Sequence, residues 1–193
     1  MIAIFSKISE ATKLLMETGF SPTHVTATLG NLGTLVGVDR LTLFEHQPFP
    51  IKGRMLTDAR FGWNAPNVPS LLESPSMKQF SLRESAPLWA EALSSGQPVS
   101  SLASDAPPRM KLLMTDLKTQ ALALAPIQQG KEKWGFIVME DCRRARVWSA
   151  EEVTLLKALA NGLGTALRHK QMRSNMSQTR TQLAEMMMLS GTR

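Results

Sequence analysis

Residues 121–167 constrain the fold more than any other stretch, because strand, turn and helix signals follow one another there without a gap. Apolar residues lead to a turn at Gly130, and residues 134–139 form a continuous apolar run with β-branched and aromatic members. Such a run is typical of a central strand that is buried on both faces. We therefore predict a β-hairpin followed by a long helix.

Ser149 and Glu152 mark the start of that helix. A Ser three residues before a Glu forms a capping box, in which each side chain accepts a hydrogen bond from the other residue's backbone N–H. Apolar residues then follow at helical spacing: Leu155, Leu156, Leu159 and Leu163.

Two further helices are predicted before the first strand. In residues 1–18, mostly apolar residues recur at intervals of four and three and form a stripe that can pack against another helix. Gly19 ends this first helix. The stripe consists of Met1, Phe5, Ile8, Thr12 and Leu15. The second helix begins at Ser21-Pro22, an N-cap followed by proline at the first helical position, and runs to Gly37. The partner of the first stripe is either a second copy or the core of the same chain.

Gly30 and Gly33 lie inside the second helix, where each costs about 1 kcal/mol relative to alanine. We expect them to permit close approach to another helix. Gly162 and Gly164 of the last helix are the natural partners.

The middle of the chain alternates short elements with loops. The predicted strands and helices are residues 39–47 (strand), 53–63 (strand), 87–94 (helix), 99–102 (strand) and 105–117 (helix). Pro48, Pro50 and Gly53 indicate the loop between the first two strands. Residues 64–87 have little periodicity and much Pro and Ser, which is typical of a functional or partly disordered loop.

Four groups of residues, taken in order, resemble the motifs of one family. They are Val36-Gly37-Val38-Asp39-Arg40; Trp63-x-Ala65-Pro66; Pro87-Leu88-Trp89 with Leu93, Gly96 and Pro98-Val99; and Trp134-Gly135-Phe136-Ile137 with Asp141-Cys142, Arg146, Trp148-Ser149 and Glu151-Glu152. Together they resemble a bacterial GAF domain, the small sensory domain found in histidine kinases and diguanylate cyclases. The resemblance covers residues 20–168.

The resemblance implies an α+β fold related to PAS domains. A central antiparallel sheet would carry helices on both sides, with long N- and C-terminal helices. Three parts are expected: a connector helix at 1–19, the GAF domain at 20–168 and a signalling or coiled-coil helix at 169–193. The last part carries a stripe on a polar background, which we call the tail stripe: Met172, Met176, Thr179, Leu183 and Met186. An isolated helix cannot bury such a stripe, so a second copy is expected to cover it.

The function implied is that of a non-catalytic sensory domain in a two-component or related signalling protein. A small molecule would bind between the sheet and its covering helices, and a homodimer would transmit its state through paired terminal helices to an output domain outside these residues. Two alternatives stand beside it. One is a dimerisation module without a ligand. The other is a basic nucleic-acid-binding module, suggested by the net charge of +6 but lacking a recognition helix or aromatic stacking face beside its arginines.

The resemblance implies that four residues lie on the segments that enclose the ligand pocket of a GAF domain: Trp63, Trp89, Met110 and Met114. Together with Arg109 they are the candidates for ligand binding. Aromatic and Met side chains with one convergent charge suit a small organic ligand. Arg109 would supply the charge, towards a carboxylate or phosphate. The alternative is that these side chains only fill the core.

Cofactor attachment is disfavoured by the few ligating residues. Bilin-carrying members of the family attach the chromophore through a cysteine on the helix that here contains residues 108–111, and no cysteine is present there. His24, His46 and His169 lie far apart without metal-ligand spacing, so neither haem nor a metal site is predicted.

Cys142 is the single cysteine, and Arg143 and Arg144 follow it. Positive neighbours lower a thiol pKa, which makes a reactive role conceivable, but we favour a structural, half-buried one. Asp141, Arg146 and Trp148 are predicted to pin the loop before the last helix rather than to form a site.

The remaining composition indicates a cytoplasmic location. One cysteine excludes an intramolecular disulfide, no apolar run approaches the ~20 residues that span a bilayer, and charges at Lys7, Glu10 and Lys13 argue against a secretory signal.

Overall fold

The computed structural model describes residues 2–47 and 54–190. Eleven helices and strands lie within those ranges, together with 3₁₀ turns at Leu71–Glu73 and Pro75–Met77. In chain order they are α1 (Ile2–Thr18), α2 (Pro22–Val36), β1 (Arg40–His46), β2 (Thr57–Asn64), α3 (Leu82–Ser85), α4 (Pro87–Ser94), β3 (Val99–Leu102), α5 (Pro108–Asp116), β4 (Ala121–Gln129), β5 (Glu132–Asp141) and α6 (Ala150–Ser190).

The five strands form one antiparallel sheet in the order β2-β1-β5-β4-β3. This arrangement, with helices on both sides, confirms the predicted α+β class. It also confirms β5 as the central strand. Side chains alternate across a strand, so Ile137 and Met139 reach one core while Phe136 and Val138 reach the other.

The two faces of the sheet carry different helices. Helices α1, α2 and α6 pack on one face, which we call the terminal-helix face. Helices α3, α4 and α5 and the 3₁₀ turns pack on the other, which we call the covering face. Each face therefore has its own hydrophobic core, and the sheet separates them.

The predicted helix caps are present. The Ser21 hydroxyl accepts a hydrogen bond from the His24 N–H, and Gly37 ends α2 with a φ of 72°. At the start of α6 the Glu152 N–H donates to the Ser149 hydroxyl at 3.2 Å, and the Ser149 N–H donates to the Glu152 carboxylate at 2.9 Å. This reciprocal pair is the expected capping box.

Helix α1 packs against the first half of α6 in the same chain. Ile8 and Leu15 are buried, at 7% and 2% exposure, and the Thr12 side chain lies against Gly162. The α1 stripe was predicted to pack either on a second copy or on the core of the same chain. Ile8, Thr12 and Leu15 pack on the core of the same chain. Met1 lies outside the described residues.

The prediction that Gly30 and Gly33 contact another helix is wrong. Both lie against the indole ring of Trp63 in β2, so a bulky sheet residue fills the space that the missing side chains leave. Gly162 instead faces Thr12, and Gly164 faces the backbone of Gln128. The position of small residues in a helix indicates that another element packs closely there. It does not indicate which element that is.

Several boundaries also differ from the predictions. The second strand begins at Thr57 rather than at residue 53, and the helix predicted from residue 105 begins at Pro108. Residues 64–87 are not a bare loop: they contain two 3₁₀ turns and α3, and they bury seven apolar side chains, Ala65, Val68, Leu71, Met77, Phe80, Leu82 and Ala86. Such isolated apolar residues have no period to detect. The loop predicted at Pro48, Pro50 and Gly53 lies outside the described residues.

The contact between Gly33 and Trp63 gives a stability test. Gly33→Ala should lower the free energy of unfolding by about 1–3 kcal/mol, because its Cβ would collide with the indole. In a Trp63→Leu background the cost should vanish or reverse, since alanine favours a helix by ~1 kcal/mol over glycine. Urea unfolding measures both, with exposed Asn31→Ala as the control. An equal cost in the two backgrounds would contradict the assignment.

Candidate ligand pocket

The covering face encloses an inner compartment between the sheet and the covering helices. Its walls are apolar side chains of β1, β4 and β5 on one side and of the 3₁₀ turns, α3 and α5 on the other; they include Phe44, Leu122, Leu124, Phe136, Val138, Leu71, Met77, Leu82, Met110 and Met114. The free volume is about 40 Å³. That is little more than the space of one water molecule, so side chains fill this compartment.

An outer compartment of about 330 Å³ adjoins it and shares Leu82 and Phe136. It lies where β1 ends at His46 and where β5 begins around Lys133. Helices α3 and α4 and the end of β4 complete its wall. Its volume is at the lower end of the ~300–1,000 Å³ usual for small-molecule sites.

The outer compartment has polar groups at one side of an apolar wall. Lys133 Nζ donates to the Ser94 hydroxyl at 2.8 Å, which connects β5 to the end of α4. Burial, reinforced by the charge of Lys133, lowers the pKa of His46 below its ordinary value. His46 is therefore a neutral imidazole at pH 7, and its buried Nδ1 has no hydrogen-bond partner among the described residues.

A buried ion pair lies beside the inner compartment. Arg40 of β1 is 1% exposed, and its Nε donates to the Glu140 carboxylate of β5 at 2.6 Å. Thr119 accepts from Arg40 and donates to Glu140, both at 2.8 Å, and Arg40 also donates to the Pro69 carbonyl at 2.7 Å. Burial alone would lower the pKa of Arg40, but the Glu140 carboxylate outweighs it and raises that pKa above its ordinary value.

The fold agrees with the comparisons with known proteins. The model of the GAF domain family matches residues 25–167. The chain belongs to the GAF domain family. The structure is similar to the phycocyanobilin-bound GAF domain from a cyanobacterial phytochrome, with a TM-score of 0.71 and 18% identity over 87% of this chain and 95% of that chain. It is also similar to the phycoerythrobilin-bound GAF domain from a cyanobacterial phytochrome, with a TM-score of 0.72 and 15% identity over 90% of this chain and 100% of that chain.

A histidine kinase is also similar in sequence to this GAF domain. The methanogenesis regulatory histidine kinase FilI of Methanothrix harundinacea (strain 6Ac) is 27% identical over 154 residues. These residues are 80% of this chain but only 17% of the kinase. The chain thus corresponds to a small part of that relative.

The GAF domain brings together only some of the candidate ligand-binding residues. Met110 and Met114 are 8% and 2% exposed and line the inner compartment. Trp89 is half-buried and packs on the same core without lining either compartment. Arg109 is exposed, and its guanidinium lies 3.8 Å from the Glu84 carboxylate rather than in the pocket. Ligand binding by these residues stays a prediction.

Trp63 lies on the other side of the sheet. Its ring packs on Gly30 and Gly33 in the terminal-helix core, so the expectation that it shares a pocket with Met110 and Met114 is wrong. The direction of a strand side chain depends on register, and β1 and β2 change register between Leu43 and Phe44.

The residues that line the polar side of the outer compartment were not among the candidates. His46, Arg83, Ser94 and Lys133 come from four different elements. They are spread over 88 positions of the sequence, and their spacing follows no pattern. Lys133 also lies next to a predicted turn, where a charged residue is usually solvent-exposed. Only the fold brings them together.

The loop between β5 and α6 is pinned by two carboxylates. Asp39 accepts from the N–H groups of Cys142 and Arg143, and Asp141 accepts from those of Arg143 and Arg144. Burial alone would raise the pKa of Asp141, but the N–H groups of Arg144 and Arg143 hold it below its ordinary value.

Arg146 and Trp148 complete this structural cluster, as predicted. The Arg146 guanidinium lies 4.1 Å from the centre of the Trp148 ring, and its Nε lies 3.6 Å from Asp141. The loop therefore gives α6 a fixed starting point beside the end of the central strand.

Cys142 is not an activated thiol in this environment. Burial raises its pKa to about 12; the charge of Arg40 opposes the rise, whereas Glu140, Asp39 and Asp141 add to it. The arginines next to Cys142 in sequence direct their charge to Asp39 and Asp141 instead.

The described residues contain neither a cluster of metal ligands nor a membrane-spanning helix. No group of three His, Cys, Asp or Glu side chains in residues 2–47 and 54–190 converges as metal ligands would. Over the same residues, no helix combines the length and apolar character needed to cross a bilayer.

Alkylation tests the state of Cys142. At pH 8 a thiol with a pKa of about 12 has about a thousand-fold less thiolate than one with a pKa of 9.0. Iodoacetamide should therefore modify the folded protein at least about a hundred-fold more slowly than glutathione. Intact mass reports the reaction without ambiguity because the chain has one cysteine. The protein unfolded in urea is the control, and equal rates in the two states would contradict the burial argument.

The buried ion pair of Arg40 with Glu140 gives a test of stability. Arg40→Met should lower the free energy of unfolding by about 3–5 kcal/mol, because it leaves the Glu140 carboxylate buried and unpaired. Arg40→Met with Glu140→Leu should recover much of that loss. The exposed pair of Arg60 with Glu45, at 2.8 Å, is the control: Arg60→Met should cost about 0–1 kcal/mol. Similar losses for Arg40→Met and Arg60→Met in urea unfolding would contradict the central role of Arg40.

Proposed function

We propose that this GAF domain is a non-catalytic sensory domain that binds a small molecule in the outer compartment. The observation that carries the proposal is an open volume of about 330 Å³ between the sheet and its covering helices, lined by both apolar and polar groups. Concave sites with an apolar wall and a few convergent polar groups are the usual form of ligand pockets. The similarity to a regulatory histidine kinase supports a role in regulating a kinase output. A cytoplasmic location is part of the same proposal.

Transmission through a homodimer is the second part of the proposal. Four members of the tail stripe stand more than half exposed: Met172, Met176, Leu183 and Met186. Their four-and-three spacing, with Thr179 between them, matches the core positions of a two-stranded coiled coil. A second copy of α6 fits this stripe because the same residues then face each other.

Ligand binding can reach α6 through β5. Phe136 lines the outer compartment, and Asp141 at the other end of the same strand pins the loop that begins α6. If β5 can pack in two ways, a ligand that binds one of them more tightly would favour the corresponding position of α6. The size of the shift is set by the difference in the ligand's affinity for the two packings.

A dimerisation module without a ligand is the second candidate, and the filled inner compartment favours it. The sensory domain and the ligand-free dimerisation module differ in whether the outer compartment binds a small molecule. N-phenyl-1-naphthylamine, a neutral dye that fluoresces in apolar sites, provides the test.

We expect the wild-type domain to bind this dye with a stoichiometry near one per chain. Ala90→Trp should abolish binding, because Ala90 lines the outer compartment and the larger side chain fills it. Glu91→Trp, exposed on the same helix, should leave binding within about two-fold. Absence of binding to the folded wild-type domain would favour the module without a ligand.

The dimer is tested by charge on the tail stripe. Met176→Glu with Leu183→Glu should weaken self-association at least about ten-fold, because the interface would bury unpaired carboxylates. Ser174→Glu with Thr181→Glu adds the same charge on the opposite side of α6 and should leave association unchanged. Sedimentation equilibrium measures both, and a monomeric wild-type protein at high concentration would contradict the proposal.

A further inference from the structure

The charges around the outer compartment have one sign. Arg83 and Lys133 line it, and no Asp or Glu side chain does so among the described residues. Two carboxylates next to lining residues in the sequence have partners elsewhere: Glu84 pairs with Arg54 at 2.7 Å, and Asp58 accepts from the Gln79 N–H at 2.8 Å. Arg83 itself forms no ion pair with any residue in the described ranges. The compartment therefore presents positive charge without a built-in counter-ion.

One of these cations keeps hydrogen-bond donors for an anion. Lys133 is held at the mouth by its hydrogen bond to Ser94, and an ammonium retains two further N–H donors. His46 also lines the compartment; as a neutral imidazole it adds no charge, and its Nδ1, which lacks a partner in the described part of the chain, is buried rather than open to a ligand.

The rest of the wall is mostly apolar, with Thr57 and Gln128 as its polar members. Met55, Leu82, Leu93 and Phe136 line it, and the shared residues Leu82 and Phe136 lead to the filled inner compartment. A ligand that is charged throughout would leave this wall without a partner, and a fully apolar one would leave two cations uncompensated.

We infer that the outer compartment binds small amphiphiles with a single anionic head group, a carboxylate or sulfonate, next to Lys133 and Arg83, and an apolar body against Leu93 and Phe136. This inference rests on the proposed function and specifies the class of ligand. Charge-assisted hydrogen bonds from Lys and Arg are about twice as strong as neutral ones, so the head group sets selectivity while the apolar wall adds affinity for any suitable body.

Two dyes with one skeleton separate these contributions. 1-Anilinonaphthalene-8-sulfonate carries the anionic group, and N-phenyl-1-naphthylamine lacks it. We expect Lys133→Met and Arg83→Met each to weaken binding of the sulfonate dye about five- to ten-fold. The neutral dye should change by less than about two-fold. Raising the salt concentration should weaken only the sulfonate dye.

Lys131→Met is the matched control, because it removes the same charge from the hairpin turn without touching the compartment. Lys133→Gln, which keeps a polar side chain, is a second variant, and circular dichroism and the melting temperature report folding of each protein. Competition gives an independent measurement: octanoate should displace the neutral dye at lower concentration than octan-1-ol.

The outcomes distinguish this inference from the proposed function. If both dyes bind and the Lys133 and Arg83 variants match Lys131→Met, the anionic class is wrong while the pocket stands. If neither dye binds to the folded wild-type domain, the pocket and the inference both fail. Selective loss of the sulfonate dye and preferential displacement by octanoate would support the inference.

Discussion

The buried ion pair between Arg40 and Glu140 is the interaction on which the arrangement of this domain depends. A guanidinium at 1% exposure requires a partner for its charge and acceptors for its N–H groups. Glu140 provides the charge, while Thr119 and the carbonyls of Pro69 and Leu117 accept the remaining hydrogen bonds. These groups come from the sheet, from the segment before the 3₁₀ turns and from the end of α5. The pair therefore fixes where the covering segments meet the central strands.

This network lies at one end of the sheet, and the outer compartment lies at the other. The inner compartment between them is filled with side chains, so the two ends are joined by close-packed groups rather than by open space. Phe136 and Glu140 are on the same strand, one beside each end of that packed region. A change at the open end thus meets a rigid strand whose far end holds the loop before α6.

Local patterns in the sequence predicted the parts that depend on neighbouring residues. The hairpin of β4 and β5 follows from the apolar run and turn, and the Ser149–Glu152 box follows from a spacing of three. The presence of two cores follows from the uninterrupted apolar run of β5, because its alternate side chains need partners on both faces.

The candidate site was less predictable because it depends on residues distant in sequence. Arg40 and Glu140 are 100 positions apart, and each is an ordinary charged residue by its local context. Met110 and Met114 were proposed because the family resemblance places their helix over the pocket, whereas Trp63 was misplaced because strand register was unknown. His46, Arg83 and Lys133 share no pattern at all.

Helix α6 is one rod of 41 residues, held by the sheet along its first part and free of proline throughout. Residues 169–190 extend it by about 33 Å at 1.5 Å per residue. On that lever arm a tilt of only about 5° where the helix leaves the sheet moves its far end by about 3 Å, the rise of two residues. A helix of this length would magnify sub-ångström adjustments beside the central strand, and it would do so because it is stiff rather than mobile.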